Sequence, residues 1–148
     1  MKLTTLNRMI KWFEEYQPNL ENGSELYSKL IDEEFEEYMT AKSNNDKIEI
    51  LDWLGDMLWV MTWEVYFNWW QLHLYYDNYR VIRSLIHKEF PEVKDLDLLV
   101  DNLINEIADS NFTKVLELQE DWEKVWKVKK WDNFKKPDIQ KIIDKFSI

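Results

Sequence analysis

The chain has 148 residues, 45% hydrophobic and 16% aromatic, the make-up of one globular domain with a core of its own rather than of a disordered segment. It holds no cysteine, which excludes a disulfide framework, a thiolate metal site and a thiol nucleophile. A formal net charge of −10 is the wrong sign for a general nucleic-acid binder, whose phosphate contacts come from Lys and Arg. A phosphorylated small molecule is still compatible with that charge if metal ions stand between the two.

With only 2 Gly and 3 Pro, the turn chemistry that many strands require is missing, and a mostly helical fold follows. Residues 1–12 are polar and amphipathic, unlike a secretory signal. Residues 6–16 predict a first amphipathic helix with Met9, Ile10, Phe13 and Tyr16 near one face. Residues 17–23 carry Pro18, Asn19, Asn22 and Gly23 and read as a loop. Ser24 is a candidate N-cap for a helix over residues 25–42. A short turn at 43–46 follows, with Asp46 placed to cap a helix from residue 47 to about residue 75. These two helices would form an antiparallel hairpin. The apolar run 57–63 is stopped by Asp56 and Glu64 and is too short to span a membrane.

Residues 77–94 look less regular, broken at Pro91, with one short helix over 80–88. Residues 96–121 again predict a helix, with Leu99, Leu103, Ile107 and Leu116 among its apolar positions. Residues 125–131 alternate apolar and basic side chains, the pattern of an extended arm or a small hairpin. Pro137 stands where a final helix over 138–146 would begin.

The acidic residues of the predicted hairpin are the main chemical signal. Glu33, Glu34, Glu36 and Glu37 precede the turn, and Glu49, Asp52 and Asp56 follow it. Residues 33 and 37 are four apart, 34 and 37 three apart, and 49, 52 and 56 fall at i, i+3 and i+7, so each set shares a helix face. Acids on a helix are usually a solvated face. These are interleaved with Leu30, Ile31, Phe35, Tyr38, Ile50, Leu51, Leu54 and Leu58, so part of the acidic face must border a core. Like charges at that spacing repel, and a partly buried carboxylate is costly without compensation. A divalent cation relieves both, and hard cations such as Mg²⁺ take carboxylate oxygens, waters and substrate phosphates.

Gly55, inside the second helix, costs roughly 1 kcal/mol relative to Ala; close packing of another helix explains its presence nearly as well as approach of a ligand. Asn111 and Lys114, three apart on a predicted helix, put an amide beside a cation, although solvated surface is the commoner explanation. Lys127, Lys129, Lys130, Lys135 and Lys136 either bind phosphate or balance the acidic body. The Trp residues suit a core or a subunit interface, Trp69 and Trp70 being the best interface candidates. His73 and His87 stand in no ligand motif, and neither has the Glu three positions earlier that a di-iron carboxylate bundle uses.

Residues 30–41 (LIDEEFEEYMTA), 49–60 (EILDWLGDMLWV), 110–114 (SNFTK) and 130–139 (KWDNFKKPDI) together resemble the MazG-like nucleotide pyrophosphohydrolases, in particular the short phage-type members labelled phosphoribosyl-ATP pyrophosphohydrolase-like. The resemblance spans about residues 25–140. It implies a single all-α domain over 1–148, a helical bundle of the all-α NTP pyrophosphatase type with a short extended C-terminal arm, in which residues 77–94 have no clear counterpart and are read as an insertion. It implies Mg²⁺-dependent cleavage of a nucleoside triphosphate to monophosphate and pyrophosphate, with Mn²⁺ as a substitute. Glu33, Glu34 and Glu37 match the first acidic motif. The second is ambiguous: Glu49 and Asp52 fit its E-x-x-D spacing, whereas Leu54, Gly55 and Asp56 match the residues around its terminal Asp, which puts Trp53 at an acid position. The metal set implied is Glu34, Glu37, Asp52 and Asp56, with Glu33 or Glu49 as a further ligand or water-activating base. Asn111 would contact sugar or base, and Lys114 and Lys130 phosphate oxygens. A homodimer or homotetramer in the cytoplasm (of the host, if phage-encoded), engaging neither nucleic acid nor membrane, completes the expectation. The rivals are an all-α dUTPase of the same superfamily and an acidic binding protein that mimics DNA.

Overall fold

Between Lys47 and Asn68 the chain is apolar nearly all the way round, and a helix of that kind belongs at the centre of a bundle. The computed structural model describes residues 2–16, 23–68, 72–113 and 134–148, and these form six helices and no strand: α1 (Leu3–Tyr16), α2 (Gly23–Ser43), α3 (Lys47–Asn68), α4 (Leu72–Glu89), α5 (Leu96–Asn111) and α6 (Ile139–Phe146). The protein is an all-α bundle. Helix α3 packs against each of the others, and Leu51, Leu54 and Leu58 along it have no contact with solvent.

Helix α1 buries Met9, Trp12 and Phe13, whose i, i+3, i+4 spacing makes one apolar stripe. These side chains meet Trp59 and Trp63 of α3 in a knot of aromatic rings, edge-on between Trp12 and Trp59 and stacked between Phe13 and Trp63. The Trp residues of this half are therefore core residues. Trp69 and Trp70, proposed for an interface, lie outside the described residues, as does the expected arm at 125–131.

The hairpin of α2 and α3 forms as its sequence suggests. Asn45 adopts a left-handed conformation with φ 54°, which Asn tolerates better than most residues. The Asp46 carboxylate accepts from the N–H groups of Ile48 and Glu49 at 3.1 and 3.2 Å and caps α3. At the other end, α2 already begins at Gly23, so Ser24 lies within the helix and is not its N-cap.

Two boundaries differ from expectation. Helix α3 ends at Asn68 rather than near residue 75, and residues 77–89 belong to the 18-residue helix α4. The charged residues around Arg80 and Arg83 obscure a plain apolar stripe: Tyr75, Tyr79, Ile82 and Ile86, at i, i+4, i+7 and i+11, are all buried. Helix α5 stops at Asn111, followed by a turn at Phe112 and Thr113, instead of running to residue 121. Helix α6 starts as expected, with the Asp138 carboxylate accepting from the Lys141 N–H at 3.1 Å. Among the described residues no helix is long and apolar enough to cross a membrane.

Candidate active site

The inward seam of α2 reads Leu30, Ile31, Glu34, Tyr38 and Ala41. Tyr38 and Ala41 are buried, Leu30 and Ile31 pack partly buried on the core, and Glu34 is half-buried between them. Glu33, Glu36 and Glu37 are exposed along the rest of that helix. The acidic run is thus divided by the helical period: one carboxylate turns toward α3, and the others flank it or face water.

On α3, Glu49, Asp52 and Asp56 are half-buried, beside the buried Ile50, Leu51 and Leu54. Glu37 and Asp52 stand equally far along the chain from the Asn44–Asn45 turn, and Glu34 and Asp56 nearly so. An antiparallel hairpin therefore sets the two acidic stretches alongside one another. Glu34 Oε2 and Asp52 Oδ1 are both closed off from solvent.

Carboxylate oxygens on facing helices, some shielded from water, have the chemistry a hard divalent cation needs. No three carboxylate or imidazole side chains among the described residues stand close enough to hold one ion by themselves. A cation such as Mg²⁺ is commonly held by one or two carboxylates together with waters and substrate phosphates. His73 and His87 are exposed, in keeping with solvated residues.

Gly55 faces away from this chemistry. A β-carbon there would lie 3.0 Å from Ile107 Cγ1 and 3.1 Å from Leu103 Cγ on α5. The glycine allows two helices to cross closely; helix packing accounts for it.

Asn111 is the last residue of α5 and only 3% exposed. Lys114 and Lys130 lie outside the described residues. The Trp12 indole N–H donates to the Asn111 carbonyl at 3.0 Å. Nearby, the Arg8 guanidinium donates to Asn105 Oδ1 at 2.6 Å, pairs with Asp109 and lies over the Phe112 ring. Helix α1 thus holds the end of α5 in place.

A second brace was not visible in the sequence. The Tyr38 hydroxyl donates to Glu89 Oε1 at 2.7 Å, across 51 positions, and the Lys42 ammonium pairs with the same oxygen. Burial pushes the Glu89 carboxyl up, but the hydrogen bonds from Lys42 and Tyr38 outweigh it and leave the group below the usual carboxylate range. Burial, then the bond to Glu89, raises the Tyr38 phenol. This brace ties α2 to the end of α4 one helical turn from Glu34.

Residues 5–67 match the family described as phosphoribosyl-ATP pyrophosphohydrolase, part of the MazG-like all-α NTP pyrophosphatase superfamily. The matched stretch takes in most of α1, all of α2 and nearly all of α3, hence both acidic motifs. It includes α1, which the motif resemblance left out, and ends before the 110–114 motif and the tail. No curated protein and no solved structure matches the chain.

Proposed function

We propose that the protein is a Mg²⁺-dependent nucleoside triphosphate pyrophosphohydrolase, converting an NTP or dNTP and water to the monophosphate and pyrophosphate, with Mn²⁺ able to substitute. The family match supports pyrophosphohydrolase-like chemistry in general. The observation that carries the finer reading is the disposition of the acids in the matched stretch: Glu34 and Asp52 have oxygens shut from water on the two packed helices, where an ordinary solvated acidic face would not have them.

Glu34, Glu37, Asp52 and Asp56, no three of which close on one ion by themselves, would supply the carboxylates that hold the cation together with water and substrate phosphates; when bound, the cation neutralises triphosphate charge and acidifies a coordinated water. Glu33 or Glu49 would serve as a further ligand or accept the proton of the water that attacks the α-phosphorus. Pyrophosphate then leaves. Asn111 would contact sugar or base, and Lys114 and Lys130 the phosphate oxygens. Assembly as a homodimer or homotetramer belongs to the same proposal.

The test is pyrophosphate release from a panel of NTPs and dNTPs with Mg²⁺, repeated with the metal chelated. Turnover that chelation abolishes and Mn²⁺ restores is the expected result. No pyrophosphate from any nucleotide, with a folded sample, overturns the enzyme. Turnover of dUTP with dCTP and dGTP untouched would narrow the assignment to a dUTPase.

A further inference from the structure

We infer that Thr113 is a positioning residue for nucleotide binding, fastening the turn that carries Asn111 to the returning C-terminal tail. The tail runs along α5 in the opposite direction, contact by contact. Lys145 Nζ donates to Asn102 Oδ1 at 2.7 Å. One turn further along α5, Lys141 Nζ reaches Glu106 Oε2 at 3.4 Å and the Asp138 N–H donates to Glu106 Oε1 at 3.2 Å. The Lys135 N–H then donates to Thr113 Oγ1 at 3.0 Å. As numbers rise along α5 they fall along the tail, so these contacts form an antiparallel ladder whose last rung is Thr113.

That rung uses one hydroxyl as both donor and acceptor. Thr113 Oγ1 gives its proton to the Ser110 carbonyl at 2.7 Å and accepts the Lys135 N–H with a lone pair. The first bond reinforces the turn around Asn111 and Phe112, which the Thr113 N–H closes on the same carbonyl at 2.9 Å; the second joins it to a residue 22 positions away. Thr113 and Lys135, one residue from each of the sequence motifs 110–114 and 130–139, are thereby joined at this atom. Trp12 secures the same turn from the other side through the Asn111 carbonyl. A turn ordered before the ligand arrives need not be ordered by it, which is a gain in affinity rather than in chemical rate.

This role rests on the nucleotide-binding reading of Asn111 and Lys114, and kinetics separate the two. Thr113→Val keeps the shape and removes both hydrogen bonds; Thr113→Ser keeps both. Wild type and variants are compared in Mg²⁺ on whichever nucleotide of the panel turns over fastest, with a thermal melt of each. Loss of such bonds is expected to raise KM roughly five- to tenfold in Thr113→Val and to leave kcat within about twofold, while Thr113→Ser stays within about twofold on both. Lys135→Pro, which deletes the donated N–H from the opposite side, is expected to reproduce the KM rise and serves if Thr113→Val does not fold. An unchanged KM with a lowered melting temperature would make the contact merely structural and overturn the assignment, as would a Thr113→Ser variant that fails like Thr113→Val. A folded wild type inert on every nucleotide removes the enzyme reading and this role with it; an active wild type with KM unmoved in the variants removes this role alone.

Discussion

Gly55 of α3 rests on Ile107 of α5 so closely that a β-carbon would come within 3.0 Å of Ile107 Cγ1, with Leu103 Cγ at 3.1 Å. Both neighbours are buried to within a percent and have little room to yield. Gly55→Ala gains about 1 kcal/mol of helix propensity, against an overpacking cost of about 1–3 kcal/mol. The expected balance is a loss of about 1 kcal/mol in denaturant unfolding. Ile107→Ala, which removes the Cγ1 carbon itself, should cost less stability in the Gly55→Ala background than in the wild type.

Trp12 fills part of the core, 2% exposed, and its indole N–H satisfies a carbonyl of the last turn of α5, one of the acceptors a helix leaves open at its end. Trp12→Phe keeps an aromatic ring but abandons the Asn111 carbonyl in the interior and leaves a small void. A cost of about 2–3 kcal/mol follows from the lost bond and the cavity, read by urea unfolding monitored through far-UV circular dichroism. A loss under about 0.5 kcal/mol would mean that this bond contributes little to holding the turn.

What could be read in the sequence was local. Asp46 caps a helix two and three residues later, and the alternation of acids and apolar residues gives the hairpin because period and turn lie within a few positions of one another. Of helix α4 only the stretch 80–88 was legible, because its stripe of Tyr75, Tyr79, Ile82 and Ile86 is interleaved with Asp77, Arg80 and Arg83, which look like a break when only composition is weighed. The ends of α3 and α5 carried no Gly or Pro to mark them. The braces around the candidate site were beyond reach for a different reason. Trp12 meets Asn111 across 99 positions and Tyr38 meets Glu89 across 51, and no local pattern specifies which distant partner a side chain takes.

Acid should destabilise the fold in a particular way. Burial pushes the Asp101 carboxyl up, but the Lys2 N–H, the Thr5 hydroxyl and the Lys2 ammonium outweigh it and hold the group below its ordinary value; the first two bonds are each 2.9 Å. The Tyr79 hydroxyl and Arg83 likewise hold Asp97 down, and Glu89 behaves as described above. At low pH the unfolded chain therefore binds more protons than the native one, so the stability from these groups is complete above the ordinary carboxylate range, near pH 4, and is lost as pH falls through the depressed native values. The urea midpoint should be flat from neutral to about pH 5 and then decline. Asp101→Asn should make that acid decline shallower; an unaltered slope would remove Asp101 from the effect.

The sharpest test of the candidate active site compares acids that differ in orientation rather than in kind. Glu34 is turned toward α3 with one oxygen shut from water, while Glu36, two positions on, is exposed. If a cation is held between the helices, Glu34→Gln and Asp56→Asn each remove charge from its surroundings, and a metal's contribution of several kcal/mol to the transition state makes the expected loss of pyrophosphate release about a hundredfold or more. Glu36→Gln removes the same charge from the same helix and should leave turnover within about twofold, since a carboxylate exposed to water is largely screened. Circular dichroism melts establish that each variant is folded. An acidic surface acting as a DNA mimic predicts the reverse pattern, in which all three substitutions weaken capture of a basic partner by similar small amounts because charge number matters and position does not. Equal effects of Glu34→Gln and Glu36→Gln would therefore count against the metal site, whatever their size.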